Sequence, residues 1–187
     1  MEYLIDKFEI SGLDIDEDSI EVCQNKYPNA NFYVSSMHNF TINEKFGVIY
    51  SIDDSINYLE SLDQYKSTFQ RVNEHLIPKG LFIFDLYTDE MLTYAKNQIE
   101  MGLSQFYQFS KGFILISTRA ENDLLILDCK VFEFIGNNHY ELHEYDNWVQ
   151  KILPPDEIEE ELKVNFKIVE KKISEHGRRI YFISRKK

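Results

Sequence analysis

The sequence predicts an α/β fold in which a doubly wound, largely parallel sheet is joined to a smaller antiparallel sheet. In the first 104 residues, strand-like and helix-like segments alternate, which is typical of βαβ units. Two of the strand-like segments, 46–52 and 81–86, are nearly all apolar, as parallel strands buried on both faces require. Residues 105–152 are instead rich in aromatic and β-branched residues with few helix signals, which favours an antiparallel sheet.

The elements of the first half follow from periodicity and from residues that start or stop helices. A short strand is predicted over 7–13, and Asp16 is placed to cap the helix that follows and ends before Pro28. A second strand is predicted over 31–34, ahead of the apolar strand 46–52. The remaining elements of this half are a helix over 62–76 with one apolar stripe, a turn over 78–80, the strand 81–86, and a helix over 88–101 ended by Gly102.

The second half is predicted to return to the first after an antiparallel hairpin. Gly136-Asn137-Asn138 has the composition of a hairpin turn between strands over 124–135 and 139–152. A short acidic helix over 155–164 begins at a proline pair, and a closing hairpin pairs 166–173 with 178–184. We therefore expect two units, an α/β core formed by 1–104 and 153–187 and an antiparallel covering sheet formed by 105–152.

Net charge, hydropathy and cysteine spacing argue against several classes of function. The net charge of −12 over 187 residues repels phosphate backbones, so we expect no nucleic-acid partner. No apolar run is long enough to span a bilayer, and the N-terminus has no basic region typical of a signal peptide, so we expect no membrane association and a cytoplasmic location. Cys23 and Cys129 are isolated and predict neither a disulfide bridge nor a metal site.

Strand ends are the places to look for a ligand site in a doubly wound sheet, because ligands bind at the carboxyl ends of the strands. Asp14 follows the first strand and could accept hydrogen bonds from both ribose hydroxyls of a nucleotide-like ligand. It could equally be a turn residue ahead of a helix, and spacing alone does not separate the two interpretations.

Three segments resemble the class I S-adenosylmethionine-dependent methyltransferases in their order and spacing. They are Gly12-Leu13-Asp14-Ile15-Asp16, Asn31 to Met37, and Asp54-Ser55-Ile56-Asn57-Tyr58-Leu59. The third is similar to a motif of a subgroup that methylates small molecules, including sugar and amine N-methylating enzymes. The resemblance implies a Rossmann-like fold, S-adenosylmethionine as cosubstrate and a small-molecule methyl acceptor.

The resemblance also implies roles for individual residues. Asp14 would hold the ribose, Ser36 stands where the family usually has an aspartate near the adenine amino group, and Met37 would pack on the adenine. Ile52 and Asp54 would face the methionine part of the ligand. The set expected to hold the cosubstrate is Asp14, Ile15, Ser36, Met37, Ile52 and Asp54.

Candidates on the acceptor side are fewer. His143, on the covering sheet, is a candidate general base, and Tyr58 a second catalytic candidate, although Tyr58 could simply pack against the next helix. His139, Glu141 and His143 would share one face of a strand. We interpret them as a solvent-facing polar stripe and expect no metal.

The sequence also departs from the family pattern. No G-x-G-x-G motif occurs in the 187 residues, Gly47 replaces an expected aspartate, and Lys79 an expected glycine. The resemblance implies that the sequence begins at the family's second strand, so the family's first strand and glycine-rich loop are missing. Either the neighbouring strands pair directly or another chain fills the gap.

Two other functions remain open. The chain could be a non-catalytic methyltransferase-like relic or partner subunit, which could form a homodimer through an open sheet edge. A general nucleotide-binding module is less favoured, because no glycine-rich loop is present to bind phosphate.

Overall fold

The computed structural model describes residues 4–137 and 139–187. Asn138, in the predicted hairpin turn, and Met1 to Tyr3, in the N-terminal segment, lie outside the described residues. The described part forms three sheets and four α-helices. None of these helices is long and apolar enough to cross a membrane.

The elements follow the predicted order. The α-helices are α1 (Glu17–Lys26), α2 (Leu62–His75), α3 (Asp89–Glu100) and α4 (Pro155–Asn165), and a 3₁₀ helix spans Ser55–Tyr58. The strands are β1 (Ser11–Asp14), β2 (Asn31–Val34), β3 (Phe46–Ser51), β4 (Leu76–Tyr87), β5 (Gln105–Phe109), β6 (Gly112–Glu121), β7 (Leu124–Gly136), β8 (His139–Lys151), β9 (Phe166–Ile173) and β10 (Arg179–Lys186).

The main core lies between α2, α4 and the central strands. Ser61 caps α2 by accepting a hydrogen bond from the Gln64 amide. The predicted stripe of α2 is buried, and Phe69 contacts the rings of Phe82 and Phe84 on β4. Phe84 in turn stacks on Phe182 of β10, with ring centroids 5.0 Å apart. This aromatic packing joins α2, β4 and β10 into one rigid block.

The central sheet has the order β3-β4-β10-β9, with β3 parallel to β4 and β10 antiparallel to both of its neighbours. The parallel pair β1–β2 forms a separate sheet. Among the described residues, β1 therefore does not pair with β3. Within residues 4–137 and 139–187, direct pairing across the gap, one of the two alternatives left open by the sequence, is absent.

The two parallel pairs are nevertheless held together at one end. Glu44, just before β3, accepts hydrogen bonds from Tyr33 Oη (2.7 Å), Ser11 Oγ (2.9 Å) and Asn31 Nδ2 (3.0 Å). Its carboxylate thus joins the amino ends of β1 and β2 to that of β3. The carboxyl ends of these strands consequently share the opposite edge.

Three local predictions are wrong. The first strand begins at Ser11 rather than Lys7, because the amides of Lys7 and Phe8 form a turn with the Leu4 carbonyl. Residues 78–80 are not a separate turn: β4 runs through them, with Lys79 at a φ of +65° and a register shift against β3. β3 is not buried on both faces, since Val48 is 49% and Tyr50 45% exposed. Val48 and Tyr50 share one face of β3, and among the described residues the side chains on that face have neighbours from a strand on one side only.

The antiparallel sheet β5-β6-β7-β8 packs at one end against α3. Ala95 of α3, Leu125 of β7 and Ile152 form a small buried cluster there. Most of β8 is exposed. The sheet lies within the residues predicted to form a covering unit, and the division of the chain into two units stays a prediction.

Candidate functional site

The candidate site is the edge where β1, β3 and β4 end. Asp14 is the last residue of β1, Ser51 of β3 and Tyr87 of β4. Because β10 is antiparallel to β4 and Arg179 pairs with Tyr87, the start of β10 lies at the same edge. This arrangement places side chains from four strands along one line, as expected for an α/β ligand site.

Asp14 presents an exposed carboxylate at the end of β1. Its Oδ1 accepts a hydrogen bond from the Asp16 amide at 3.0 Å, and its carbonyl accepts one from the Ser35 amide at 2.8 Å. These bonds fix the strand end ahead of α1. A carboxylate has about four acceptor positions, so Asp14 retains capacity for a ligand. Ile15 beside it is 74% exposed.

Ser36 and Met37 follow β2. Ser36 Oγ is 2.7 Å from His38 Nδ1. Met37 is half-buried and packs, with Leu13 of β1, against the main core. Met37 therefore has a packing role in this structure, and its contact with an adenine ring stays a prediction.

Ile52, Asp53 and Asp54 form a turn after β3, which we call the strand-end turn. Ile52 is 52% exposed. Asp53 and Asp54 have φ values of +65° and +56°, both in the left-handed region that costs a non-glycine residue about 1 kcal/mol or more. Asp85 of β4 offsets this strain, since its Oδ1 and Oδ2 accept hydrogen bonds from the Asp53 and Asp54 amides at 2.8 and 3.1 Å.

Arg179 completes a cluster of charged groups around this turn. Its Nη1 donates to Asp85 Oδ2 (2.7 Å), and its Nη2 donates to Asp54 Oδ1 (2.6 Å) and Tyr87 Oη (3.0 Å). The guanidinium also lies over the Tyr87 ring, 4.7 Å from its centroid. We call Asp53, Asp54, Asp85 and Arg179 the strand-end cluster.

The antiparallel sheet β5–β8, which we call the covering sheet, contacts the strand-end cluster through Gln150 of β8. Gln150 is buried, and its Nε2 donates to Asp54 Oδ2 at 2.7 Å. Both carboxylate oxygens of Asp54 are therefore bonded to protein groups. In this structure Asp54 links β10 to β8, and direct contact of its side chain with a cosubstrate stays a prediction.

Burial and neighbouring charges together set the pKa values of these groups. Burial raises the pKa of the Asp85 carboxyl, while the Arg179 charge and the two turn amides act in the opposite direction. Burial would lower the pKa of Arg179, but Tyr87, Asp85 and Asp54 outweigh it, and the pKa is raised. Burial, reinforced by the Asp54 charge, also raises the pKa of Tyr87. At neutral pH the Arg179 guanidinium is therefore protonated.

The structure brings one of the two predicted catalytic candidates to this edge. Tyr58 ends the 3₁₀ helix, is 48% exposed, and has a pKa raised by burial and by the Asp54 charge. His143 lies on the exposed part of β8, about 20 Å along that strand from Gln150. Its Nδ1 is 3.8 Å from Oε2 of Glu133 on β7. Its role as a general base stays a prediction.

Two buried polar atoms close to Tyr58 lack a hydrogen-bond partner in the described part of the chain. They are Asn57 Nδ2 and Gln150 Oε1. Asn57 Oδ1 accepts a bond from the Tyr87 amide at 2.9 Å, so Asn57 joins the 3₁₀ helix to the end of β4. The contact between the core and the covering sheet thus contains one donor and one acceptor that solvent or a ligand could bond.

Other candidate sites are weaker. Within 4–137 and 139–187, no group of three or more metal-binding side chains converges. A cleft of about 460 Å³ between α2 and α4 is lined by residues such as Lys66 and Glu161. A second, of about 370 Å³, lies between α3 and the β9–β10 hairpin. Neither contains a residue predicted for the site.

Sequence reasoning missed Asp85, Gln150 and Arg179. Asp85 had a detectable signal, since a charged residue inside the apolar strand 81–86 requires a buried partner. Arg179 and Gln150 had none, because each meets Asp54 only through the fold, 125 and 96 residues away in sequence.

Comparisons with known proteins agree with this architecture. No protein-family model matches the chain. It is 25% identical over 75 residues to a Streptomyces venezuelae dTDP-3-amino-3,4,6-trideoxy-alpha-D-glucopyranose N,N-dimethyltransferase, covering 40% of this chain and 32% of that protein. It is 23% identical over 167 residues to a putative methyltransferase of Bacillus subtilis, covering 83% and 63%. The chain thus spans less than two thirds of each of these curated relatives.

Solved structures extend the similarity to nearly the whole chain. An S-adenosylmethionine-dependent methyltransferase from Clostridium acetobutylicum matches with a TM-score of 0.79 and 24% identity, over 98% of this chain and 78% of that one. An S-adenosylmethionine-bound amino pentose methyltransferase from Micromonospora echinaspora matches with a TM-score of 0.77 and 10% identity, over 100% and 78%. The predicted Rossmann-like methyltransferase fold is confirmed.

Proposed function

We propose that this chain transfers a methyl group from S-adenosylmethionine to a nitrogen or oxygen of a small molecule. The observation that carries the proposal is the position of Asp14. Its exposed carboxylate ends β1 on the same edge as the strand-end turn after β3. The S-adenosylmethionine-bound protein that shares this fold over the whole chain supports the choice of cosubstrate.

The residues present fit the ribose end of this cosubstrate. Asp14 has acceptor capacity beyond its bond to the Asp16 amide, as two ribose hydroxyls require. Ile15 and Ile52 offer exposed apolar side chains on the same edge. The 187 residues contain no glycine-rich loop for the methionine end, so the strand-end turn is the remaining candidate there.

Little further chemistry is required of the protein. S-adenosylmethionine supplies an activated methyl group, and the residues need mainly to orient the acceptor and exclude water. Tyr58 keeps its proton at neutral pH because its pKa is raised. We therefore assign Tyr58 to orienting the acceptor by hydrogen bonding rather than to removing its proton.

A second candidate is a non-catalytic relic or partner subunit. The open edge of β3 favours it, because an exposed apolar strand suits association with another polypeptide. A homodimer formed through this edge is one form of that proposal. Unlike an enzyme, such a protein would not consume S-adenosylmethionine.

Methyl transfer tests the proposal. The chain would be incubated with S-adenosylmethionine labelled on its methyl group and with panels of small amines and small alcohols. We expect labelled product with at least one panel. Tyr58→Phe should lower kcat by about 10-fold with the KM for S-adenosylmethionine unchanged, as expected for an orienting hydrogen bond.

Tyr50→Phe is the matched control, since Tyr50 has similar exposure but lies on β3. It should leave both constants unchanged. No labelled product with either panel, together with no binding of S-adenosylhomocysteine, would contradict the proposal and favour the non-catalytic alternative.

A further inference from the structure

The strand-end cluster groups four charged side chains around one turn. Its three carboxylates, Asp53, Asp54 and Asp85, face a single guanidinium. Asp85 is fully buried, whereas the side chain of Asp53 is 94% exposed. Burying charged groups is costly, and strained backbone of the kind seen at Asp53 and Asp54 clusters at functional sites.

We propose that Arg179 is a positioning residue that holds the strand-end turn in the conformation required to bind the methyl donor. The inference rests on the proposed function, and it assigns a role to a residue that lies outside the predicted set. Arg179 acts through Asp54 and Asp85 rather than by touching the ligand.

The geometry supports this role in two steps. The Asp85 carboxylate holds the turn by accepting both of its left-handed amides. Arg179 then donates hydrogen bonds to Asp85 from Nη1 (2.7 Å) and to Asp54 from Nη2 (2.6 Å). Its guanidinium therefore joins the Asp54 side chain of the turn to the Asp85 carboxylate that holds the turn amides. A guanidinium has the planar fork needed to bond two carboxylates at once, which a lysine ammonium lacks.

Arg179 also fixes the covering sheet indirectly. Asp54 Oδ1 accepts a hydrogen bond from Arg179, and Asp54 Oδ2 accepts one from Gln150 of β8. If Arg179 releases Asp54, the bond from Gln150 loses its rigid acceptor. The turn and the covering sheet should therefore loosen together.

Loss of Arg179 should move the pH dependence of binding to higher pH. The groups that face Asp85 are Arg179 from β10 and Asp53 and Asp54 from the turn, and Tyr87 of β4 accepts a hydrogen bond from Arg179 beside them. Burial raises the pKa of Asp85, and Arg179 is the largest opposing influence. Without Arg179 this carboxyl will take up a proton at higher pH, and its protonated oxygen is a weaker acceptor for an amide hydrogen bond.

Isothermal titration with S-adenosylhomocysteine tests the proposal on the full chain, between about pH 5 and pH 8. Arg179→Met should weaken binding by about 10-fold or more at neutral pH, since it removes charge-assisted hydrogen bonds. Its binding should also weaken further as the pH falls, at a higher pH than in the unmodified protein. Arg179→Lys should restore part of the affinity.

Arg178→Met is the matched control. Arg178 is adjacent in sequence but stacks on Tyr94 of α3, with its guanidinium 4.2 Å from the ring centroid. It should bind like the unmodified protein at every pH. If Arg179→Met does not fold, Arg179→Lys carries the test, with a smaller effect in the same direction.

Hydrogen exchange at the Asp53 and Asp54 amides separates this inference from the proposed function. Faster exchange in Arg179→Met than in Arg178→Met supports the claim that Arg179 holds the turn. If the unmodified protein nevertheless binds no ligand, the proposed function and the link between the turn and ligand binding are overturned, whereas the hold of Arg179 on the turn is not. Unchanged exchange, or unchanged affinity in a protein that binds the ligand, would overturn the positioning role.

Discussion

β3 and β4 are neighbouring parallel strands with similar apolar sequences, yet their burial differs sharply. Phe84 on β4 is fully buried, whereas Val48 and Tyr50 on β3 are 49% and 45% exposed. β4 has β3 on one side and β10 on the other, while in the described part of the chain β3 has a partner on one side only. Apolar composition thus indicates that a strand can be buried, and its neighbours determine whether it is.

The contrast also bears on the site. The well-packed side of the sheet holds Asp85 and Arg179, which fix the strand-end turn. The open side holds Asp14, which is tied to the rest through the Glu44 hydrogen bonds at the other end of β1. The proposed ligand edge therefore joins a rigid half and a weakly supported half.

The largest expected effect tests the packing difference directly. Phe84→Ala removes a side chain stacked between Phe82 and Phe182 and should lower the free energy of unfolding by about 3–5 kcal/mol. Tyr50→Ala, on the exposed strand, should cost about 1 kcal/mol or less. Urea denaturation measures both. Equal costs would mean that β3 is as buried as β4.

A smaller effect concerns the link between the two halves. Hydrogen bonds from Tyr33 and, less strongly, from Ser11 lower the pKa of Glu44 below its ordinary value of 4.5. Its stabilising contribution is therefore fully present above that value and is lost as the pH falls through the lowered pKa. The protection factors of the β1 amides, which correct for the intrinsic pH dependence of exchange, should fall about 10-fold in this acidic range.

Glu44→Gln supplies the control for this pH effect. Its amide cannot titrate, so the β1 amides should exchange faster than in the unmodified protein at neutral pH and show no extra step on acidification. An acid-induced step of the same size in Glu44→Gln would assign the effect to another carboxylate.

The smallest effect compares a glycine on each strand. A Cβ at Gly80 of β4 would meet Leu76 Cδ2 at 3.0 Å and two carbonyl oxygens at 3.1 Å, whereas one at Gly47 of β3 would meet nothing within 4 Å. Gly80→Ala should cost about 1–2 kcal/mol through crowding. Gly47→Ala should be neutral or stabilise by up to about 1 kcal/mol, because alanine loses less entropy on folding. Thermal unfolding with the reverse ranking would contradict the difference between the strands.

The sequence predicted those features that depend on local chemistry. The strand β2 has the predicted bounds, and the buried stripe of α2 follows from a spacing of three and four residues. The cap at Asp16 is confirmed by its bond to the Ser19 amide at 2.9 Å. These features require only residues close in the chain.

Features that depend on distant residues were not predictable in this way. The exposure of β3 depends on which strands flank it, and the left-handed conformation of Asp53 and Asp54 depends on Asp85. The resemblance placed Asp14 and Asp54 at the site, but the bonds that occupy Asp54 come from β8 and β10. Only the fold brings these groups together.

Isothermal titration of S-adenosylmethionine into the 187-residue chain and its Asp14→Ala variant tests the central claim most directly. We predict binding in the micromolar range, about −8 kcal/mol. Asp14→Ala should weaken it by about 10-fold or more, and Asp18→Ala, an exposed change in the first turn of α1, should not. No binding at millimolar ligand, or equal binding by Asp14→Ala, would contradict a methyl-donor site at this edge.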